Sequence, residues 1–441
     1  IDWVCGLPWA GNVGYWGCSY LALTGWLIAD ILPEKVKTMY LTHYGTFRHV
    51  SAYKDGLFRH DVLTAWAMEN AGYPVTADYL ESCRFRPHAE VDERLWGKKL
   101  EWYRKWVTST DASDEYWNTG VWGLLKEIPS RVKVPVYMGE GWYDHHLGSA
   151  IETYRSLSEE AKKKSKFVIG AWDHNFNVVV KGHQGEHFEN DDILRAFDWF
   201  YEILMEGKMP EGSIDTYIIG EDKWYQRADY DLENQEEYRL WLGAERSLLA
   251  KQGEEGVEEF TFCPENPVSI HGAESLLVTA QEQGSLLQPG PDYREDVISF
   301  LSGPLEESIT VLGKIRAELD VETDTEDTAF VVKVMEVMEN GEAYNVRTGI
   351  TTLGYRNRSK SRVAYASDTI VPITIDMWDV AWKFQKGSRI RIDITSSDFP
   401  QYAVHSNYAG CWALAAESRD AHQKIHYGKG HISSVVFPKL G

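Results

Sequence analysis

The sequence predicts an α/β domain interrupted by a helical insertion and followed by an all-β sandwich. Three observations predict it. Short apolar runs alternate with amphipathic helical stretches over residues 1–46 and again over 129–225, the signature of a mostly parallel sheet. The stretch 47–128 is helical in pattern, polar and rich in tryptophan. From residue 226 to 441 helical periodicity gives way to strand-like alternation.

In the first region the apolar runs are Lys37 to Tyr44, Val134 to Met138 and Lys166 to Ile169. The accompanying helices are Tyr20 to Ala29, Leu147 to Ser156 and Asp191 to Glu206. The last carries Ile193, Leu194, Phe197, Phe200 and Leu204 at helical spacing, with Asn190 or Asp191 to cap its start and Gly207 to end it. The insertion at 47–128 holds Trp66, Trp96, Trp102, Trp106, Trp117 and Trp122. Placed between two strands of a parallel sheet, it is expected to lie over their carboxyl ends, where sites of α/β folds are built. In the β region Ile315, Ala317, Leu319 and Val321 alternate with polar residues, as do Ile390, Ile392 and Ile394. Asn340-Gly341 between two such runs signals a hairpin.

Composition narrows the function. The chain has 441 residues and a net charge of −22, which opposes binding to nucleic acid or to an anionic membrane. No run of eighteen apolar residues occurs. The 18 Trp and 24 Tyr are enough to line an apolar cleft as well as a core. Five scattered cysteines (Cys5, Cys18, Cys83, Cys263 and Cys411) form no CxxC pair, so neither a zinc site nor a disulfide framework is indicated. A reducing, cytoplasmic location is expected.

The sharpest motif is Gly17-Cys18-Ser19-Tyr20-Leu21-Ala22. A nucleophile on a tight strand-to-helix corner needs small neighbours two before it and two or three after it, and Gly17 and Ala22 fill those places. The helix that follows offers its dipole and the Tyr20 N–H to an oxyanion. Cys18 is a rival nucleophile, but it would want a small residue where Trp16 stands. A hydrolase of this α/β type needs a serine, then an acid, then a histidine, each just after a strand. Asp144 follows one apolar run and His174 the next, in that order. Ser19, Asp144 and His174 are therefore the expected catalytic triad, with Asp173 a weaker candidate acid. His183 and His187, with Glu186, Glu189 and Asp191 near, have metal-like spacing, but Gly182 and Gly185 mark a loop and no metal site is expected. No cofactor is expected either.

The stretch Gly11 to Leu21 resembles the nucleophile elbow of the cocaine esterase and X-Pro dipeptidyl-peptidase family, which also holds α-amino-acid ester hydrolases and glutaryl-cephalosporin acylases. Gly141-Trp142-Tyr143-Asp144 resembles its acid motif and Gly170 to His174 its histidine motif. Asp327 to Val334, Gly341 to Val346 and Ser396 to Pro400 resemble pieces of its β domain. The resemblance runs from about residue 3 to the end of the chain. It implies an α/β-hydrolase domain (1–46 and 129–225), a helical cap (47–128) and a C-terminal jelly-roll β-sandwich (226–441). It implies hydrolysis of a small-molecule ester or amide through an acyl-enzyme, without metal. Pocket residues carried over are His146, Trp66, Leu277 and Val278. The alternatives are an X-Pro dipeptidyl-peptidase, and an inactive or split hydrolase or ligand-binding protein. Two departures stand out. His145-His146-Leu147 follows Asp144 where the amino-acid ester hydrolases carry acidic residues. Only eighteen residues precede Ser19, whereas the family has several strands there and a tyrosine that completes the oxyanion hole. The expected protein partners are accordingly a further N-terminal segment or a second chain, and a second copy of this chain.

Overall fold

The computed structural model describes residues 1–183, 185–189, 191–230, 235–274 and 283–440, which group into two compact units. The first unit comprises 1–51, 115–179 and 183–233. Its six-stranded sheet runs in chain order: β1 (Val13–Cys18), β2 (Val36–Thr42), β3 (Val136–Tyr143), β4 (Lys166–Asp173), β5 (Ser213–Ile218) and β6 (Lys223–Arg227). The first five are parallel and β6 turns back antiparallel on β5. Every residue of β3 is buried, as expected of a parallel strand covered on both faces. Helices α1 (Tyr20–Trp26), α2 (Leu147–Ser156) and α3 (Asp192–Phe200) supply crossovers.

Strands β3 and β4 extend beyond the apolar runs that announced them, to Tyr143 and Asp173, so that Asp144 and His174 directly follow strands. On α3 the side chain of Asp191 caps the Leu194 N–H at 3.1 Å; Asn190 lies outside the described residues. The buried face of α3 differs from the one its spacing suggests. Ala196, Trp199 and Ile203 pack against Tyr40, Tyr137, Val168 and Trp172, with Phe200 and Leu204 at the margin. Ile193, Leu194 and Phe197 are exposed instead. The helix is apolar on more than one side, so periodicity alone did not select the face. It ends in a π turn over Tyr201–Met205, and Gly207 adopts φ +67°.

The second unit comprises 52–114, 180–182 and 234–441. Among the described residues, beside a short hairpin of Tyr53–Lys54 and Leu57–Phe58, eleven of its strands form an almost wholly antiparallel β-sandwich. They are β7 (Glu236–Gly243), β8 (Ser247–Leu249), β9 (Gly256–Phe262), β10 (Ile298–Ser302), β11 (Ile309–Thr323), β12 (Ala329–Val337), β13 (Ala343–Thr352), β14 (Val371–Phe384), β15 (Arg389–Thr395), β16 (Ala421–Tyr427) and β17 (Ser434–Lys439). The order is β9-β16-β11-β17-β7-β8-β10-β15-β12-β13, with β14 paired to β11. Strand β16 alternates buried and half-buried residues, the pattern of one covered face, whereas β12 and β13 are buried almost throughout. Asn340-Gly341 forms the β12–β13 turn, with Gly341 at φ +88°.

The helical region expected at 47–128 occupies Arg48–Arg131, between β2 and β3, and it divides between the units. Residues 52–114 belong with the sandwich, because Leu57 joins Ala329, Val331, Ile350 and Tyr402 in one apolar cluster and Phe58 stacks on Trp412. Residues 115–128 belong with the parallel sheet, where Trp117 meets His49. Within the sandwich unit a fully buried Arg59 is held by Asp61 at 2.8 Å and by the Glu274 carbonyl at 2.7 Å, over the rings of Trp378 and Tyr402. Among the described residues no helix is long and apolar enough to cross a membrane.

Candidate active site

The carboxyl ends of β1, β2, β3 and β4 each deliver one or more side chains to a common point. Ser19 follows β1 at φ +54°, ψ −121°, a conformation that costs a non-glycine residue about 1–3 kcal/mol. It is held there because its N–H donates to the Thr42 carbonyl at 2.9 Å, tying the turn to the end of β2. Gly17 is required by closeness: a Cβ at that position would lie 2.4 Å from the Leu21 carbonyl oxygen and 2.8 Å from the Ala22 nitrogen. Tyr20 is the first residue of α1, so its N–H has no acceptor within the helix.

Strands β3 and β4 bring the other two residues together. The register shifts between Gly141 and Tyr143, so that Tyr143 pairs with Asp173. A Cβ on Gly141 would lie 2.1 Å from the Trp172 carbonyl oxygen, which shows how closely the strands approach just before their functional residues. His174 Nδ1 then lies 2.8 Å from Asp144 Oδ2, and His174 Nε2 lies 2.9 Å from Ser19 Oγ. Since an ionised carboxylate only accepts, His174 donates from Nδ1 and presents a bare Nε2 to the serine hydroxyl. The Asp173 carboxylate is occupied elsewhere: it accepts from the Asn175 and Asn177 N–H groups at 2.8 and 2.9 Å and from Asn177 Nδ2 at 3.1 Å, fixing the loop that carries His174. Cys18, the rival at the corner, contacts Thr42, and burial pushes its thiol above the ordinary range.

Asp144 is fully buried, which by itself would raise its pKa. The imidazoles of His174, His43 and His145 outweigh that and hold it well below the carboxylate range. His146 adds a backbone N–H on Oδ1 at 2.6 Å. Four residues before Asp144, on β3, Glu140 is also buried. Its desolvation, the charge of Asp144 and then Cys18 push its pKa well above the usual value. Two carboxyls in one dry site ionise one at a time, and the one with the donors takes the charge. For His174, burial favours the neutral ring, but the charge and hydrogen bond of Asp144 and the charge of Asp173 prevail and raise its pKa.

Of the residues expected from the sequence, the fold brings Ser19, Asp144 and His174 into one hydrogen-bonded line and sets Tyr20 and His146 beside it. His146 Nδ1 meets the Ser51 hydroxyl at 2.9 Å and its ring lies against Tyr44. Trp66 belongs to the second unit, where it packs on Trp102 and Trp106. Leu277 and Val278, with Leu276, lie outside the described residues. His187 pairs with Asp222 at 2.8 Å. Sequence reasoning missed His43 and Glu140. Position could have found His43, which stands directly after β2 at the carboxyl edge of the sheet. Among the described residues, His43, Asp144 and His174 are the one set of three metal-ligating side chains whose atoms lie within 4.8 Å of one another, and both imidazole Nδ1 atoms are already committed to Asp144.

Comparison with known proteins gives concordant matches. Residues 1–175 match the X-Pro dipeptidyl-peptidase (S15 family), and residues 207–436 match the X-Pro dipeptidyl-peptidase C-terminal non-catalytic domain. A cocaine esterase from Rhodococcus sp. (strain MB1 Bresler) is 23% identical over 481 residues, spanning 99% of this chain and 82% of that protein. Among solved structures, an aminopeptidase from a marine sediment archaeon, Thaumarchaeota archaeon, superposes with a TM-score of 0.83 at 18% identity, covering 100% of this chain and 78% of that one. An α-amino acid ester hydrolase superposes with a TM-score of 0.82 at 20% identity over 97% of this chain and 77% of its own.

Proposed function

The chain belongs to the X-Pro dipeptidyl-peptidase (S15) family and is a serine hydrolase, and we propose that it cleaves a carboxylic ester or amide through an acyl-enzyme on Ser19. One observation carries this reading: His174 bridges Ser19 and Asp144 through its two ring nitrogens, at 2.9 and 2.8 Å. His174 Nε2 takes the hydroxyl proton as Ser19 Oγ attacks the carbonyl carbon, and the buried Asp144 carboxylate stabilises the imidazolium. The Tyr20 N–H receives the oxyanion. Collapse returns the proton to the departing alcohol or amine and leaves an ester on Ser19. Water, deprotonated by the same nitrogen, then releases the acid and restores the serine.

The small-molecule ester is the favoured substrate, supported by similarity to a cocaine esterase over almost the whole chain. The family match supports a second reading, release of an X-Pro dipeptide. We place the protein in the cytoplasm; its five cysteines are free thiols, as suits a reducing compartment. Fluorophosphonate labelling tests the proposal. Ser19 Oγ displaces fluoride from phosphorus, so the adduct maps to the Ser19 peptide and disappears in Ser19→Ala. An undiminished adduct in that variant, or none on folded wild type, would refute it. Faster release of p-nitroaniline from Gly-Pro-p-nitroanilide than of p-nitrophenol from short acyl esters would select the peptidase reading.

A further inference from the structure

We propose that His43 is a positioning residue for the hydrolytic reaction: it donates a second hydrogen bond to the Asp144 oxygen that the working histidine also uses. The inference rests on the Ser19–His174–Asp144 reading.

The geometry is specific. His43 follows β2, is fully buried, and adopts φ +55°, so it is a second non-glycine residue at the site in a costly backbone conformation. Its Nδ1 contacts the same oxygen, Asp144 Oδ2, that receives His174 Nδ1. Because Asp144 is the ionised carboxyl of the site, His43 must carry its proton on Nδ1 and act as donor. Contacts hold both the main chain and the ring of His43. Its backbone N–H donates to the Gly139 carbonyl at 2.8 Å, and the Phe176 ring stands edge-on at 4.1 Å between centroids. Nε2 is buried with no hydrogen-bond partner among the described residues, so Nδ1 is the nitrogen through which the ring acts. Glu140 Oε2, 3.8 Å from His43 Nδ1, completes the surroundings.

Asp144 thus has three donors: His174 and His43 on Oδ2 and the His146 N–H on Oδ1. Without His43, the carboxylate loses one of the two donors that fix Oδ2, and a reacting group misplaced by about 1 Å costs on the order of 10²-fold in rate. Its charge would then fall more fully on His174. That imidazole would hold its proton more tightly, and the acid limb of the pH profile would move upward. The other ionisable groups around the pair stay in place: Glu140, Cys18 and Asp192 near His43 and Asp144, and His145, His146 and Asp173 about His174.

The test compares wild type, His43→Leu, His43→Asn and His43→Gln. Asparagine keeps an N–H close to the position of Nδ1, whereas glutamine carries it one bond too far. Steady-state hydrolysis of a p-nitrophenyl ester is followed from pH 5 to 9, with folding checked by circular dichroism. His43→Leu and His43→Gln are expected to lose about 10²-fold in kcat with KM changed less than about threefold, and to move the acid limb of kcat/KM upward by about half a unit or more. His43→Asn is expected to regain most of kcat and to restore the limb. If His43→Leu does not fold, the comparison of Gln with Asn decides. A folded His43→Leu or His43→Gln with kcat near wild type, or His43→Asn no better than Gln with the limb unmoved, would overturn the assignment. Failure of the triad reading is seen separately, as turnover or fluorophosphonate labelling that survives Ser19→Ala.

Discussion

Gly17→Ala is the smallest change that tests whether the serine corner depends on close backbone approach. The added Cβ would stand 2.4 Å from the Leu21 carbonyl oxygen, where ordinary contact begins at 3.4 Å, so 3.4 − 2.4 = 1.0 Å must be found. A second backbone atom, the Ala22 nitrogen, stands at 2.8 Å. Neither belongs to a side chain that can rotate aside, so the strand end and the first turn of α1 must move apart, and Ser19 lies between them. Over-packing of this kind costs about 1–3 kcal/mol of stability. The larger effect is on rate, because a displacement of about 1 Å at reacting atoms is worth on the order of 10²-fold. The assay is kcat/KM for a p-nitrophenyl ester, with the fluorophosphonate labelling rate and a thermal melt on the same samples. A loss of about 10²-fold in both rates with a lowered melting temperature is expected. Rates within about threefold of wild type would refute the view that this contact sets the position of the nucleophile.

Two further outcomes follow from the buried charges. His174 must be neutral to accept the serine proton, and although burial opposes it, Asp144 raises its pKa above the ordinary 6.5; the acid limb of kcat/KM should therefore have its midpoint above 6.5, and a midpoint at or below that value would contradict the electrostatic account. Glu140 has its folded pKa raised above the ordinary 4.5 by burial and by Asp144, so its contribution is fully present below about pH 4.5 and is lost as pH rises toward the folded value. Urea unfolding should find wild type and Glu140→Gln similar in pH response below pH 4.5, with the variant gaining on wild type above it by up to about 1.4 kcal/mol per pH unit. A gap that does not widen with pH would mean that Glu140 is ionised in the fold.

What the sequence made legible were features with a local signature. The parallel sheet announced itself through alternating apolar runs and helices, and Gly17 with Ala22 marked a corner at which only small residues pass. The small-residue corner at Ser19, followed in order by Asp144 and His174 after two apolar runs, was enough to nominate three side chains that the fold brings within hydrogen-bond reach. The strand ends were less legible, because Gly139, Gly141 and Gly170 interrupt the apolar pattern where β3 and β4 continue. The exposed face of α3 was misread for the converse reason: Ile193, Leu194 and Phe197 are apolar, yet the buried stripe is the one with Ala196 and Trp199. Residues 47–128 read as one helical body, but membership in a unit is decided by packing, and Leu57 and Trp117 pack into different cores.

His43 and Glu140 were illegible for a deeper reason. Neither sits in a motif, and each acquires its role only through pairing at long range: His43 meets a carboxylate 101 positions away. The same contact explains why two acids can share one dry pocket. A lone buried Asp144 would be driven toward protonation and could no longer support an imidazolium. Three imidazoles and a backbone N–H reverse that bias at Asp144, while Glu140, favoured by none of those imidazoles to the same degree, takes the proton instead. The anion needed for acyl transfer is therefore selected by the placement of donors rather than by the intrinsic acidity of the two carboxyls, and donor placement is a property of the sheet register, which sets the ends of β2, β3 and β4 side by side.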